Sequence, residues 1–231
     1  MLRTLGRWLH DYLRYASRRV VNSFVYRTPP AHYLGHVRAG RCPIIVIPGI
    51  LDTWRSLTKL VDPLSQAGHP IYVLPHLNYN WRAIPHAAQL VRELIDKKHL
   101  THTVIIAHSK GGLVGKFVLA FHNADKKVRR LIAIATPFAG SRAARFLPGR
   151  RYRELSPEHP TIAKLAGERK ANRHITSIFG SFDNHVWPTT NCRLEGAKNI
   201  QVNVWGHHTI LFDPHVRDIV AAEVAATTKN A

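Results

Sequence analysis

The sequence feature that says most about the fold is an apolar run that leads directly into a serine with small neighbours. Residues 103–107 are predicted to form a buried strand, which leads through His108 into Ser109. A serine on so sharp a strand-to-helix turn takes a strained backbone conformation, which excludes bulky residues two positions before and after it. Ala107 and Gly111 meet that requirement, and the apolar residues 112–120 continue as a helix. The pattern indicates a nucleophile elbow or, alternatively, a tight turn capped by a serine.

Other segments repeat the pattern of a strand that ends in a loop with polar residues. A glycine loop suited to an oxyanion hole follows the apolar residues 44–47. Asp183 lies beyond the strand-like residues 175–179, and His207 lies beyond residues 200–204. The chain therefore presents serine, aspartate and histidine in that order, which is one of the orders in which hydrolytic triads occur.

Strand-like and helix-like runs alternate along the whole chain. The strand-like runs are 44–47, 71–74, 103–107, 131–135, 175–179 and 200–204, and the helix-like runs are about 55–67, 84–98, 112–122, 158–170 and 214–227. This alternation predicts an α/β fold, with a mostly parallel central sheet, helices on both faces and functional groups at the carboxyl ends of the strands. A length of 231 residues, 45% of them hydrophobic, is enough for one compact domain.

The chain resembles the α/β-hydrolases, in particular the small bacterial lipases and esterases with a minimal cap. Those proteins also carry an A-H-S-x-G elbow, which here is residues 107–111. Further matching positions are Ala135–Ser141, Thr176–Ile178, Asp183, Val186, Arg193–Asn199, Gly206, His207, Leu211 and Val216. The resemblance spans about residues 41–220 and implies a catalytic domain over residues 41–228. It also implies a short cap at about residues 142–174, and a solvated connection is the alternative for that segment.

The resemblance implies a serine hydrolase that cleaves carboxylic esters, with lipid or phospholipid substrates as a narrower expectation. Ser109 is the expected nucleophile, His207 its general base, and Asp183 the acid that orients the imidazole. The backbone N–H groups of Ile50 and Lys110 are the expected oxyanion donors. An exposed Lys110 side chain would attract substrates that carry a phosphate or carboxylate. This chemistry requires no cofactor, and the sequence predicts no metal site.

The histidine and the acid each have competitors nearby in the sequence. His208 adjoins His207, but only His207 reproduces the family's spacing to later residues, so His208 is expected on the loop surface. Asp213 precedes a proline and is predicted to start a helix. Asp52 is expected to cap a helix rather than to catalyse.

Two alternatives to ester hydrolysis remain open. An acyltransferase or a thioesterase would use the same three residues. The other alternative is not an enzyme. It is a membrane-associated binding protein that kept a hydrolase fold without turnover, since fold does not imply function.

Charge is the second informative feature of the chain. Lys and Arg number 33 against 14 Asp and Glu, which gives a net charge of +19 and favours anionic partners. The basic residues are widely spread and no nucleic-acid-binding motif accompanies them, so nucleic acid is not expected. An anionic membrane surface is the favoured partner besides the substrate.

Residues 1–30 are predicted to form a basic amphipathic helix outside the catalytic domain. Its apolar positions are Leu2, Leu5, Leu9, Tyr12, Leu13, Ala16 and Val20, and Arg3, Arg7, Arg14 and Arg18 lie opposite. Such a helix is suited to an anionic bilayer, although packing on the domain and organelle targeting are alternatives. No transmembrane helix or secretory signal is predicted. With only Cys42 and Cys192, a reduced, cytoplasmic protein is expected.

Overall fold

The computed structural model describes residues 6, 8–9, 11–13, 15–17, 28–77, 79–147 and 149–229. Within these residues, six strands form a single sheet in the order β2-β1-β3-β4-β5-β6, and every pairing is parallel. The strands are β1 (Ile44–Ile47), β2 (Ile71–Val73), β3 (Thr103–His108), β4 (Val128–Ile134), β5 (Ile175–Phe182) and β6 (Lys198–Trp205). The predicted parallel sheet is therefore confirmed.

Helices alternate with these strands. They are α1 (His32–Gly35), α2 (Thr58–Gln66), α3 (Ile84–Lys97), α4 (Lys110–Phe121), α5 (Arg150–Arg153), α6 (Pro160–Gly167) and α7 (Pro214–Lys229). Short 3-10 turns occupy Trp54–Leu57, Pro75–Leu77, Arg142–Arg145, Lys170–His174, Thr189–Cys192 and Thr209–Phe212. The long predicted helices are present with shifts of a few residues at their ends.

The sheet lies between two helical layers because its central strands are apolar on both faces. Alternate residues of a strand point to opposite faces. Ile45 and Ile47 of β1 join the core under α3 and α4, whereas Ile44 and Val46 join the core under α2 and α7. All four residues of β1 are fully buried. The predicted placement of helices on both faces is confirmed.

Parallel pairing brings the carboxyl ends of the strands to one edge of the sheet. Ser109 follows β3 directly, Asp183 follows β5, and His207 comes two residues after β6. The glycine loop that contains Ile50 follows β1. The topology therefore collects the predicted site residues at one edge, as expected for an α/β sheet.

Two segments lie outside this layered core. Residues 142–174, the predicted cap, contain the 3-10 turn Arg142–Arg145 and the short helices α5 and α6. Near the N-terminus, residues 6, 8–9, 11–13 and 15–17 are helical. The predicted positions Leu2, Leu5, Val20, Arg3, Arg7, Arg14 and Arg18 lie outside the described residues. In the described part of the chain, no helix is both long enough and apolar enough to cross a bilayer.

Candidate active site

Ser109 occupies the strained turn that the sequence predicts. Its backbone angles are φ 52° and ψ −124°, a combination that L-residues rarely adopt. A Cβ atom added to Gly111 would lie 2.4 Å from the carbonyl oxygen of Ile47, so α4 passes too close to β1 for any side chain there. The Ser109 N–H donates to the carbonyl of Ile134 at 2.8 Å, which fixes the turn to the neighbouring strand.

The structure pairs His207, and not His208, with Asp183. His207 Nδ1 donates to Asp183 Oδ2 at 2.7 Å, and both side chains are buried. The other oxygen of Asp183 accepts the backbone N–H groups of His185 and Val186 at 2.7 and 2.8 Å. The N–H of His207 donates to Asn184 Oδ1 at 2.8 Å. The loop after β5 therefore orients both the carboxylate and the histidine backbone.

His108 is a further site residue that the sequence analysis did not select. Its ring is buried, and its Nε2 lies 3.0 Å from the carbonyl oxygen of His207. A carbonyl only accepts, so this ring nitrogen carries the proton. Burial lowers the pKa of His108 well below its usual value, which keeps the ring neutral. The signal was its position directly before the serine, but no local pattern predicts a bond to a residue 99 positions away.

The protonation state of His207 suits a general base. Burial lowers its pKa below the ordinary value, and the neighbouring His208 ring lowers it further. A neutral imidazole that donates from Nδ1 to Asp183 has an unprotonated Nε2 that can accept a proton. Burial also raises the pKa of Asp183, an effect that the amide donors of His185 and Val186 oppose by favouring the carboxylate.

The predicted oxyanion donors lie near the serine in the fold. Lys110 is the first residue of α4, where backbone N–H groups have no partner within the helix. Ile50 follows Gly49, and a Cβ atom on Gly49 would lie 3.2 Å from the Ser109 Cβ and 3.1 Å from His108 Nδ1. The glycine therefore lets the loop after β1 approach the serine closely. The donor role of both amides stays a prediction.

The prediction that the Lys110 side chain is exposed is wrong. Its side chain is 0% exposed, and its ammonium group donates to the carbonyls of Asn80 and Arg82. It also pairs with Glu154 Oε2 at 3.4 Å, and Glu154 Oε1 accepts the N–H of Ile84 at 2.8 Å. Burial lowers the pKa of Lys110. The side chain is directed towards α3 and the predicted cap, because these groups together satisfy its buried charge, and it offers no charge to a substrate.

The prediction that His208 lies on the surface is also wrong. It is 9% exposed, because the ring of Tyr15 stacks on it at 3.9 Å with an interplanar angle of 24°. Its Nδ1 donates to Asp11 Oδ2 at 3.2 Å. Asp11 is fully buried, and it is a site residue that no sequence pattern indicated. It offered no local signal, since its contact lies 197 residues away.

The two competing acids both lie close to the start of a helical segment. Asp213 Oδ1 accepts the N–H of Val216 at 3.1 Å in the first turn of α7. Asp52 Oδ1 accepts the N–H of Thr53 at 2.7 Å, just before the 3-10 turn Trp54–Leu57. The bond of Asp213 agrees with the helix start that the sequence predicts there. Asp52 lies one residue before Thr53, which is the N-cap of the 3-10 turn, so its predicted capping role is not borne out.

A cavity of about 330 Å³ opens above Ser109 and His207. Its wall is mostly apolar and aromatic, and the side chains that form it come from the strand-end loops, the predicted cap and the N-terminal helical segment. These include Tyr12, Tyr15, Ile50, Leu51, Pro137, Ala144, Leu147, Tyr152, Leu155 and Val186. A cavity of this size fits a small ligand or part of a larger one.

In the described part of the chain, one group of side chains has the composition of a metal site. Donor atoms of Asp11, His185 and His208 lie within 4.8 Å of one another. The Asp11 carboxylate, however, already accepts hydrogen bonds from His208 and Thr209, which account for its burial without an ion. The expectation of no metal site therefore stays a prediction.

Comparison with solved structures shows what the fold is similar to. A Bacillus licheniformis lipase in its mature form superposes with a TM-score of 0.65 at 14% identity, over 83% of this chain and 95% of that one. Aspergillus fumigatus lipase B superposes with a TM-score of 0.68 at 17% identity, over 85% of this chain and 55% of its own length. For a monoacylglycerol lipase of Paleococcus ferrophilus the TM-score is 0.59 at 13% identity, over 82% and 95%. Such low identities establish the fold alone.

Sequence comparison agrees with the structural one. No curated protein sequence matches the chain significantly. The sequence model of the family described as alpha/beta hydrolase fold matches residues 43–162, which is just over half of the chain. The protein therefore belongs to the α/β-hydrolase family.

Proposed function

We propose that this protein is a serine hydrolase that cleaves carboxylic esters through an acyl-enzyme at Ser109. The observation that supports the proposal most is the 2.7 Å hydrogen bond between the buried His207 and Asp183, beside a cavity that Ser109 also lines. A non-catalytic domain has no physical need for Ser109, Asp183 and His207 together at the carboxyl ends of its strands.

The proposed reaction follows from the protonation states. His207 Nε2 accepts the proton of Ser109 Oγ as that oxygen attacks the ester carbonyl, and Asp183 stabilises the imidazolium that forms. The N–H groups of Ile50 and Lys110 stabilise the oxyanion. His207 then donates the proton to the departing alcohol, which leaves an acyl group on Ser109. A water molecule then attacks the acyl carbonyl while His207 Nε2 accepts its proton. The bond to Ser109 Oγ breaks, that oxygen takes the proton back from His207, and the acid is released.

The wall of the cavity favours an acyl ester as substrate. Apolar side chains such as Pro137, Leu155 and Val186 suit an acyl chain rather than a charged group. The similar folds include two lipases and a monoacylglycerol lipase, which agrees with this class. Because Lys110 is buried, its ammonium group gives no reason to prefer substrates with an anionic head group.

Hydrolysis of p-nitrophenyl esters with acyl chains of increasing length tests the proposal. We expect turnover by the wild type, a loss of about 10⁶-fold in Ser109→Ala and His207→Ala, and a loss of about 10⁴-fold in Asp183→Asn. A fluorophosphonate probe should label the wild type and leave Ser109→Ala unlabelled. A folded wild type with neither turnover nor labelling would favour the binding-protein alternative.

The same experiment separates the other triad chemistries. Addition of a thioester tests for a thioesterase, and addition of an alcohol acceptor tests for acyl transfer. A preference for the thioester over the oxygen ester would assign thioesterase activity to the same residues. A preference for the alcohol over water as the acyl acceptor would assign them acyltransferase activity.

We further propose that the protein contacts an anionic membrane next to the cavity. Leu9 and Leu13 of the N-terminal helical segment are each 60% exposed, and Phe146 of the predicted cap is 79% exposed. The ring of Phe146 lies 6.5 Å from that of Trp187, which lies 5.9 Å from that of Trp8. These aromatic contacts connect the cap to the N-terminal segment. The net charge of +19 suits an anionic lipid surface.

A further inference from the structure

We propose that Asp11 is a positioning residue that holds the turn of residues 206–209, so that the N-terminal helical segment orients His207 and completes the cavity. The proposal rests on the proposed function, since it assigns a purpose to the orientation of His207. It concerns a segment that lies outside the family match over residues 43–162.

The hydrogen bonds of Asp11 converge on the residues that follow His207. Asp11 Oδ1 accepts the N–H of His208 at 3.1 Å, the N–H of Thr209 at 2.7 Å and the hydroxyl of Thr209 at 2.8 Å. Asp11 Oδ2 accepts from His208 Nδ1 at 3.2 Å. Among the residues that the structure describes, the donors to this fully buried carboxylate all belong to His208 and Thr209.

The chain before His207 is shaped to receive Asp11. Gly206 has a φ of 113°, and a Cβ atom there would lie 2.4 Å from Asp11 Oδ1. Only glycine combines this backbone conformation with such a close approach. Asp11 thus contacts the turn on both sides of His207.

Three contacts together restrain the backbone of His207. Asn184 binds its N–H, His108 binds its carbonyl oxygen, and Asp11 binds the next N–H along the chain. The first comes from the loop after β5 and the second from the last residue of β3, whereas the third comes from the N-terminal segment. Loss of Asp11 would leave the C-terminal side of the turn without this anchor and its buried N–H groups without an acceptor.

The same segment forms part of the cavity wall. Tyr12 and Tyr15 both line the cavity, and Tyr15 also stacks on His208. The hydrogen bonds of Asp11 hold the helical residues 11–13 and 15–17 against this side of the site. The N-terminal segment is therefore placed to affect both the orientation of His207 and the space for the acyl group.

Kinetics of Asp11 variants test the proposal, with p-nitrophenyl acetate as substrate. We expect Asp11→Ala to lower kcat by about 10²-fold with little change in KM, because a small displacement of a catalytic group has a cost of this size. Asp11→Asn should recover much of the loss, since its amide oxygen can accept the three bonds made by Oδ1. Val220→Ala, in the buried core of α7, is the control for a general loss of stability.

Each variant is compared below its own melting temperature. Retention of wild-type kcat by Asp11→Ala would overturn the proposal. An equal loss of kcat in Val220→Ala would overturn it as well, because general destabilisation would then account for the effect.

An NMR readout keeps this inference separate from the proposed function. A histidine Nδ1 proton bound to a carboxylate gives a downfield proton resonance, which His207→Ala should remove. We expect Asp11→Ala to broaden or abolish that resonance and Asp11→Asn to retain it. An unchanged resonance in Asp11→Ala would contradict positioning. A resonance that depends on Asp11 in a protein without turnover would instead contradict only the proposed hydrolase activity.

Discussion

Four imidazole rings meet around the candidate nucleophile. The ring of His207 lies 4.7 Å from that of His108, 4.6 Å from that of His185 and 5.2 Å from that of His208. Burial lowers the pKa of His185 to about 3 and that of His108 well below its usual value. The rings are also close enough that a positive charge on one opposes protonation of its neighbours. Asp183 is the carboxylate that faces His207 directly.

The pKa of His207, lowered by burial and by the neighbouring His208 ring, predicts an unusual pH dependence. A general base must be neutral, and a lowered pKa keeps His207 neutral as the pH falls through 6.5, the ordinary value for histidine. We expect kcat/KM for a neutral ester to stay level through that pH and to decline only under more acidic conditions. Circular dichroism at each pH provides the control for folding. An acid limb with an apparent pKa at or above 6.5 would contradict the prediction.

Glu154 connects three elements that are distant in sequence. It accepts the first N–H of α3 and pairs with Lys110 at the start of α4, and it directly follows α5 in the predicted cap. Lys110 is the residue after Ser109, so the cap is attached to the helix that carries the elbow. This arrangement explains why a lysine occupies a buried position there.

Removal of that carboxylate should destabilise the fold strongly. We expect Glu154→Ala to lower the free energy of unfolding by about 3–5 kcal/mol, because it leaves the buried Lys110 ammonium without its ionic partner. Glu158→Ala removes an acid that is 58% exposed, and it should cost less than about 1 kcal/mol. Urea denaturation measures both values.

A double variant separates the ion pair from the helix cap. Lys110→Met with Glu154→Gln should be more stable than Glu154→Ala, since glutamine can still accept the N–H of Ile84. Equal unfolding energies for Glu154→Ala and Glu158→Ala would contradict the assigned role of the buried pair.

At the scale of the whole molecule, the N-terminal segment has two different faces. Asp11 is fully buried on the domain, and Trp8 and Tyr15 are partly buried, which supports the alternative that this segment packs on the core. Leu9 and Leu13 remain exposed on the same segment. One face can therefore bind the domain while the other is available to a lipid surface.

Vesicle co-sedimentation tests the proposed membrane contact. We expect binding to phosphatidylglycerol vesicles, weaker binding to phosphatidylcholine vesicles, and a decrease with added salt, because the charge of +19 contributes to the attraction. The double variant Leu9→Ser with Leu13→Ser should bind phosphatidylglycerol vesicles more weakly than the wild type does. It should keep its turnover of p-nitrophenyl acetate. Leu34→Ser, at an exposed leucine of α1, is the matched control. Undiminished binding by the double variant would contradict the proposed surface.

Much of the fold was predictable from the sequence because its signals are local. Apolar runs of strand length between helix-like segments predicted the parallel sheet and its two helical layers. The small residue at Gly111 predicted the strained turn at Ser109, since the restriction acts within a few residues. The order of Ser109, Asp183 and His207 predicted which side chains would lie at one edge, because parallel strands end together. These features depend on backbone geometry and on which residues follow each strand.

Other features required the tertiary structure. The Lys110 side chain turns inward to meet Glu154, which is 44 positions away, and His208 is buried by a segment almost 200 residues earlier. Asp11 itself had no pattern to mark it. Local backbone and hydrophobic constraints were enough to predict the sheet, the elbow and the candidate residues. The burial of charged and polar groups could not be predicted in this way, because each such group needs a partner that the folding of distant segments supplies.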